Sequence, residues 1–435
     1  YQWLDTKHLL LPASNSWLDA AFIAFVILFI PSGRSFILFL LSKLWSFIGI
    51  FSHQQSKELM HRYLNIGRYA FHKQQATIFG KLRAQYPADT GFILLPMDME
   101  YMQAGKVKVS YHEQMKELAT IKENHPNQAY PFVFADPRRL EEESTHFQYA
   151  ILNGKVELQK CFIKEYLEEY GFNGIKIYPA LGYYPFDEEL LPLWKYAADK
   201  GIPILTHCIR GTIFYRGKKK ASWNRHPVIE QALGKNQYEP MLLPDMDPMF
   251  YSHQFTHPLN YLCLLEEKLL RKIIATTSAK CQQLFGYSNS DTPLQYNLNH
   301  LKICFGHFGG EDEWKRFFER DRDNYSAQLV KQPETGISFL TDANGKEARG
   351  KLEIIWKNVD WYTIICSLMM QYPNVYADIS YILHDETSVL PLLKQTLQNK
   401  KLREKVLYGT DFFVVRNHKS DRQMLADMSF GLSPE

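Results

Sequence analysis

Two histidines and two aspartates fall late in short apolar runs. His207 closes IPILTHC (202–208), His307 lies in LKICFGHFGG (301–310), Asp378 in NVYADISY (374–381) and Asp411 in KVLYGTDFF (405–413). Imidazole nitrogen and carboxylate oxygen are donors that a divalent transition metal takes around an open position for water. The ion lowers the pKa of that water and polarises a carbonyl, and a nearby carboxylate takes the proton. Singly, each residue has a plainer explanation: a satisfied core histidine, or an aspartate capping the next helix. Polar side chains at the carboxyl ends of several parallel strands, however, converge on one point at the top of an α/β barrel.

The elements that must position them alternate. From about residue 90, short apolar runs are each followed by a turn and a longer helical stretch, which implies a parallel sheet. Seven strands are expected, at 91–98, 130–137, 173–179, 202–208, 301–310, 374–381 and 405–413. In the clearest βαβ unit, Asp187 is a plausible N-cap, Gly201 stops the helix and Pro203 precedes the next strand. Two long insertions, 209–300 and 311–360, each follow a strand directly and therefore lie on the face where loops carry function. One barrel with large loop insertions explains this better than separate domains, with a doubly wound open sheet as the runner-up.

The 435 residues are 46% hydrophobic and 22% charged, which suits a globular chain with a large core and excludes disorder, collagen and coiled coil. Fifty Lys+Arg against 47 Asp+Glu give a net charge of +3, too balanced for wholesale nucleic-acid binding. Six scattered cysteines without a CxxC pair suit a reducing compartment, read as the cytoplasm. The apolar runs at 20–30 and 36–51 are each shorter than a bilayer span; they read as buried or interfacial helices, with contact of 20–51 with a membrane surface left open. GxGxxG, GxxxxGK[ST], GxSxG and HExxH are absent, which removes the usual nucleotide-binding, serine-hydrolase and metalloprotease signals.

The ordered motifs GFNGIKIYPALGYYPFDE, ADKGIPILTHC, ICFGHFGG, YPNVYADISY and VLYGTDFF together resemble the amidohydrolase superfamily, in its branch of metal-dependent hydrolases and aminocarboxymuconate-semialdehyde decarboxylase-like enzymes. The resemblance covers roughly 91–435. It implies a TIM-type (β/α)8 barrel and one divalent metal, zinc first, with manganese or iron also suited. His207 would be a metal ligand, His307 a ligand or the contact to substrate or metal-bound water, and Asp411 a ligand and the catalytic proton acceptor. The expected activity is metal-assisted hydrolysis of an amide, ester or lactone; the alternatives are nonoxidative decarboxylation at the same residues and an inactive membrane-associated binding module.

The family's first strand ends in His-x-His, and this chain has no such pair. Asp98 and Glu100 share the i, i+2 spacing and are possible first-strand substitutes. Seven strands instead of eight, and an opening on Tyr1, lead to the expectation of a fragment. The first strand would then lie upstream, with 1–90 an apolar-rich, mostly helical connection and 91–435 the barrel. Lys176 is a possible bridging residue between two metals, with a mononuclear site preferred. Arg138 and Arg210 are candidate clamps for an anionic small-molecule substrate, and Asp378 either reaches that substrate or orients a loop. A homo-oligomer is left open.

Overall fold

The computed structural model describes Phe25, His72, residues 74–412 except 212, 246 and 320–323, and residues 421–432. The chain divides into two compact units, with boundaries at 86/87, 410/411 and 424/425. In the first, the helix Gln75–Arg83 buries Phe79, and Lys81 Nζ lies 2.7 Å from His72 Nε2.

The second unit carries eleven strands: β1 Phe92–Leu94, β2 Ala129–Phe134, β3 Tyr149–Leu152, β4 Lys155–Leu158, β5 Gly174–Ile177, β6 Ile204–His207, β7 Arg225–Gly234, β8 Gln237–Leu242, β9 Ile303–Gly306, β10 Val375–Asp378 and β11 Val406–Leu407. Seven form one sheet in the order β1-β2-β5-β6-β9-β10-β11, every neighbouring pair parallel. Each expected strand lies within it. Because sheet order follows chain order without a reversal, the sheet has no switch point of the doubly wound kind, and the runner-up fold is set aside. An eighth strand is not seen among the described residues. The apolar segment 20–51 lies outside them apart from Phe25, and no described helix is long and apolar enough to cross a membrane.

β5, β6 and β9 are buried at every position, as expected of parallel strands covered on both faces. One cover is the helix Trp361–Gln371, whose residues 361–370 are all buried; apolar all round, it has no solvent face to keep polar. The helix Leu191–Lys200 ends as expected, with Gly201 in the left-handed conformation at φ 69°. Its expected N-cap differs. Asp187 precedes a 3-10 turn, Glu188–Leu190, and its side chain makes no cap bond, while burial pushes its carboxyl up to about 7.

Two antiparallel hairpins, β3–β4 and β7–β8, interrupt the alternation. The first turns through Asn153 and Gly154, both at positive φ (52° and 72°), the geometry an Asn-Gly pair supplies. The second lies inside the 209–300 insertion and turns through Lys235-Asn236.

Candidate functional site

Strand register creates the site. His207 of β6 lies opposite Gly306 of β9, while Phe305 lies opposite Ala377, so Asp378 follows at the level of Gly306. On the other side Ile177 pairs with Thr206, which brings Tyr178 level with His207. One row across four strands therefore reads Tyr178, His207, Gly306, Asp378. Gly306 is needed in the middle, because a Cβ there would stand 2.9 Å from the Thr206 carbonyl oxygen. Its missing side chain lets Asp378 reach across.

Asp378 Oδ1 accepts the backbone N–H of His307 at 3.1 Å, the backbone N–H of Ser380 at 3.0 Å and the Ser380 hydroxyl. His307 Nδ1 lies 3.2 Å from the Ser380 carbonyl oxygen and 3.0 Å from its Oγ, and His307 Nε2 lies 3.2 Å from His207 Nδ1. The proton positions follow by elimination. A carbonyl oxygen only accepts, so His307 Nδ1 carries the proton. Burial keeps the His207 ring neutral, and with its proton on Nδ1 it donates to His307 Nε2, which leaves His207 Nε2 as a bare lone pair. That nitrogen is buried and has no hydrogen-bond partner.

Burial holds the His207 ring well below the usual imidazole range, and the neighbouring His307, Lys176 and His253 push the same way; the Ile209 backbone opposes this. The Tyr178 ring stacks on His207 at 3.8 Å between centroids and 16° between planes. Gly211 passes over the lone pair, where a Cβ would lie 3.5 Å from His207 Nε2 and 3.8 Å from the Tyr178 hydroxyl. Replacing Gly211 with Ala should therefore leave thermal unfolding unchanged yet weaken any ligand of this nitrogen, by about tenfold for each 1.4 kcal/mol lost. Metal titration of the folded variant checks it.

Backbone strain collects at the same strand ends. His307, Phe308 and Tyr381 all have positive φ (65°, 43° and 66°), a conformation costing about 1–3 kcal/mol where the residue is not glycine.

Other candidate residues are tied elsewhere. Arg139 Nε donates to Asp98 at 2.6 Å, and the same guanidinium holds Glu100 and Glu143. The two proposed first-strand substitutes are thus partners of one arginine. Arg138 wraps Asp136 through Nε at 2.8 Å and Nη2 at 2.6 Å, so its fork is occupied. Arg210 Nη2 reaches Glu313 at 3.1 Å and lies over the Trp361 ring. Lys176 is buried on β5, with an electrostatic influence on His207 and Cys304. Asp411 follows β11 and belongs to the first unit.

Sequence reasoning missed Tyr178, Ser380, Gly211, His253 and Glu313. Glu313 sits in the charged run EDEWKRFFERDRD, yet is only 1% exposed. It accepts the Trp361 backbone N–H at 2.8 Å and Arg316 Nη1 at 2.9 Å. Next to it, Asp360 caps the helix Trp361–Gln371 through Thr363 N at 2.6 Å, and burial raises its carboxyl to about 6. A carboxyl whose pKa rises on folding stabilises the protein below its unfolded value and loses that contribution as pH rises through about 6. Asp360→Asn should flatten that dependence, gaining about 3 kcal/mol over the wild type between pH 4 and pH 8 at about 1.4 kcal/mol per unit. Urea unfolding of both proteins at the two pH values measures the difference.

No protein-family model and no curated protein matches the chain. Among solved structures it is similar to 5-carboxyvanillate decarboxylase of Novosphingobium aromaticivorans, complexed with manganese and 4-hydroxy-3-methoxy-5-nitrobenzoic acid. There the identity is 15% and the TM-score 0.36, over 89% of this chain and 80% of that one. It is also similar to 2,6-dihydroxybenzoate decarboxylase complexed with 2,6-dihydroxybenzoate, at 14% identity and TM-score 0.38, over 88% of this chain and 93% of that one. The same enzyme from Rhizobium gives 14% and 0.38, over 87% and 93%. These neighbours are decarboxylases of small aromatic carboxylates by name.

Proposed function

We propose that the chain is a metal-dependent enzyme of the amidohydrolase type that decarboxylates a small aromatic carboxylate without an oxidant. The observation that carries this reading is the hydrogen-bond chain Asp378, Ser380, His307, His207, which ends in a buried nitrogen lone pair. A ligating histidine donates its second ring N–H to a partner that fixes its tautomer, and His207 has that arrangement.

The residues fit a metal through His207 Nε2. His307 acts behind it as the ring that orients it, a role beside the two that the resemblance implies, ligand or contact to substrate or metal-bound water. The resemblance implies a carboxylate ligand at Asp411, which belongs to the other compact unit. When bound, the ion supplies a Lewis acid that holds the substrate carboxylate and draws electron density toward it. Zinc and manganese both accept such donors.

The chain's own residues do the rest. The Tyr178 ring stacks on His207 and holds its plane. Arg210, held by Glu313 and three residues past His207, gives an anionic substrate a positive charge at the rim. In the reaction the ring–carboxylate bond breaks, its electron pair stays on the ring carbon, and a proton joins that carbon as carbon dioxide leaves. Asp411 is the proton-transfer group the resemblance implies. Hydrolysis, the first expectation, is the second reading of the same residues; Asp98 and Glu100, the possible first-strand substitutes, both pair with Arg139.

The test uses the full chain loaded with Mn²⁺ or Zn²⁺ and offered hydroxybenzoates on one side, aryl esters and lactones on the other. Metal-dependent carbon dioxide release, abolished by chelator, is expected. Ester or lactone cleavage without carbon dioxide, or no turnover of either class, would overturn the reading.

A further inference from the structure

A second cluster of donor groups lies apart from the strand-end row, between the helix Tyr111–Asn124 and the segment after the helix Pro137–Glu142. A capping box between Ser110 and Glu113 fixes the first turn of the former helix, and so places His112. His146 is set by its backbone, with its N–H donating to the Glu143 carbonyl at 2.8 Å and its carbonyl accepting from Ile163 N at 3.0 Å. Between the two rings stands Glu143. Its Oε2 lies 3.4 Å from His112 Nε2 and 3.5 Å from His146 Nδ1.

We infer that His112, Glu143 and His146 form a binding site for a divalent transition metal of the zinc class, independent of the strand-end site. Three observations support it. First, the spacing is long for a hydrogen bond but right for a shared ion, since two donors each about 2.1 Å from a tetrahedral metal stand about 3.4 Å apart. All three donor atoms lie within 4.8 Å of one another.

Second, His146 is 1% exposed and neither of its ring nitrogens has a hydrogen-bond partner. A fully buried imidazole with no partner is a costly arrangement that a ligand would relieve.

Third, the surroundings favour a cation. Arg139 takes Glu143 Oε1, which leaves Oε2 for the ion, and its one positive charge faces three carboxylates, Asp98, Glu100 and Glu143. Phe162 walls the site, stacking on His146 at 4.6 Å and meeting His112 edge-on at 4.8 Å. The His112 side chain is 42% exposed, so the fourth position opens to water. Such an ion would pin the 143–146 segment to the first turn of the neighbouring helix.

Cobalt(II) titration of the full-length His207→Ala chain, followed by ligand-field absorption, isolates this site from the strand ends. One equivalent with the intense bands of tetrahedral cobalt is expected, and zinc should displace it. Adding His112→Gln, a half-exposed position that leaves the core untouched, should weaken binding at least tenfold while the circular dichroism spectrum stays the same. No tetrahedral cobalt in His207→Ala would overturn the inference, as would binding that His112→Gln leaves unchanged.

Discussion

Replacing His207 with Ala should lower metal-dependent turnover by at least about three orders of magnitude, more than 4 kcal/mol of barrier. The fold should survive, because the change removes a ring at a strand end and leaves the apolar run IPIL in place. His307→Ala should behave differently. It removes the ring that receives the His207 Nδ1–H, and losing such a supporting partner costs about 10–100-fold in metal affinity. The deficit in His307→Ala should therefore be partly recovered at high metal concentration, whereas that in His207→Ala should not. Steady-state rates over a metal titration separate the two. Equal, unrecoverable losses would mean that both histidines ligate, and unaffected His207→Ala would remove this residue from the site.

Asp378→Ala should be the most destabilising single change at the strand ends. One carboxylate oxygen accepts three donors, the His307 N–H, the Ser380 N–H and the Ser380 hydroxyl. Each buried donor left without an acceptor costs about 1–3 kcal/mol, so the variant should lose about 3–5 kcal/mol after relaxation. Asp378→Asn keeps an acceptor oxygen in that position and should lose only about 1 kcal/mol. The strained backbone at His307, Phe308 and Tyr381 adds to the case, since Asp378 anchors the turns on both sides. Urea unfolding of the three proteins decides it. A small effect of Asp378→Ala would show that water replaces the carboxylate without cost.

The seven sheet strands were legible because buried parallel strands read as unbroken apolar runs bounded by turns. The pairing of His207 with His307 was legible only as chemistry: both close such runs, but it is the parallel register that brings them to 3.2 Å. Asp378 was read as either a substrate contact or a loop anchor, and its bonds to His307 and Ser380 make it the anchor. Tyr178 and Ser380 carried no mark of their own in the sequence, since their roles come from register and from a turn. The ties of Asp98 and Glu100 to Arg139 span about forty residues, which no local pattern reports. Glu313 was hidden in a charged run of the kind that is usually solvated, and the Asn153-Gly154 hairpin was passed over although its turn signal was present. Glu143 and His146 stand at i, i+3, but His112 joins them from a separate helix, which no local spacing reports.

The central claim is that the hydrogen-bond chain from Asp378 ends in a bare Nε2 on His207. Nitrogen-15 correlation spectra of the histidine-labelled chain without metal read this directly, through the couplings of each ring nitrogen to the carbon-bound protons. The account predicts that His207 carries its proton on Nδ1 and that its neutral signal persists well below pH 6.5. A proton on Nε2 of His207, or an ordinary titration of that ring near pH 6.5, would contradict it.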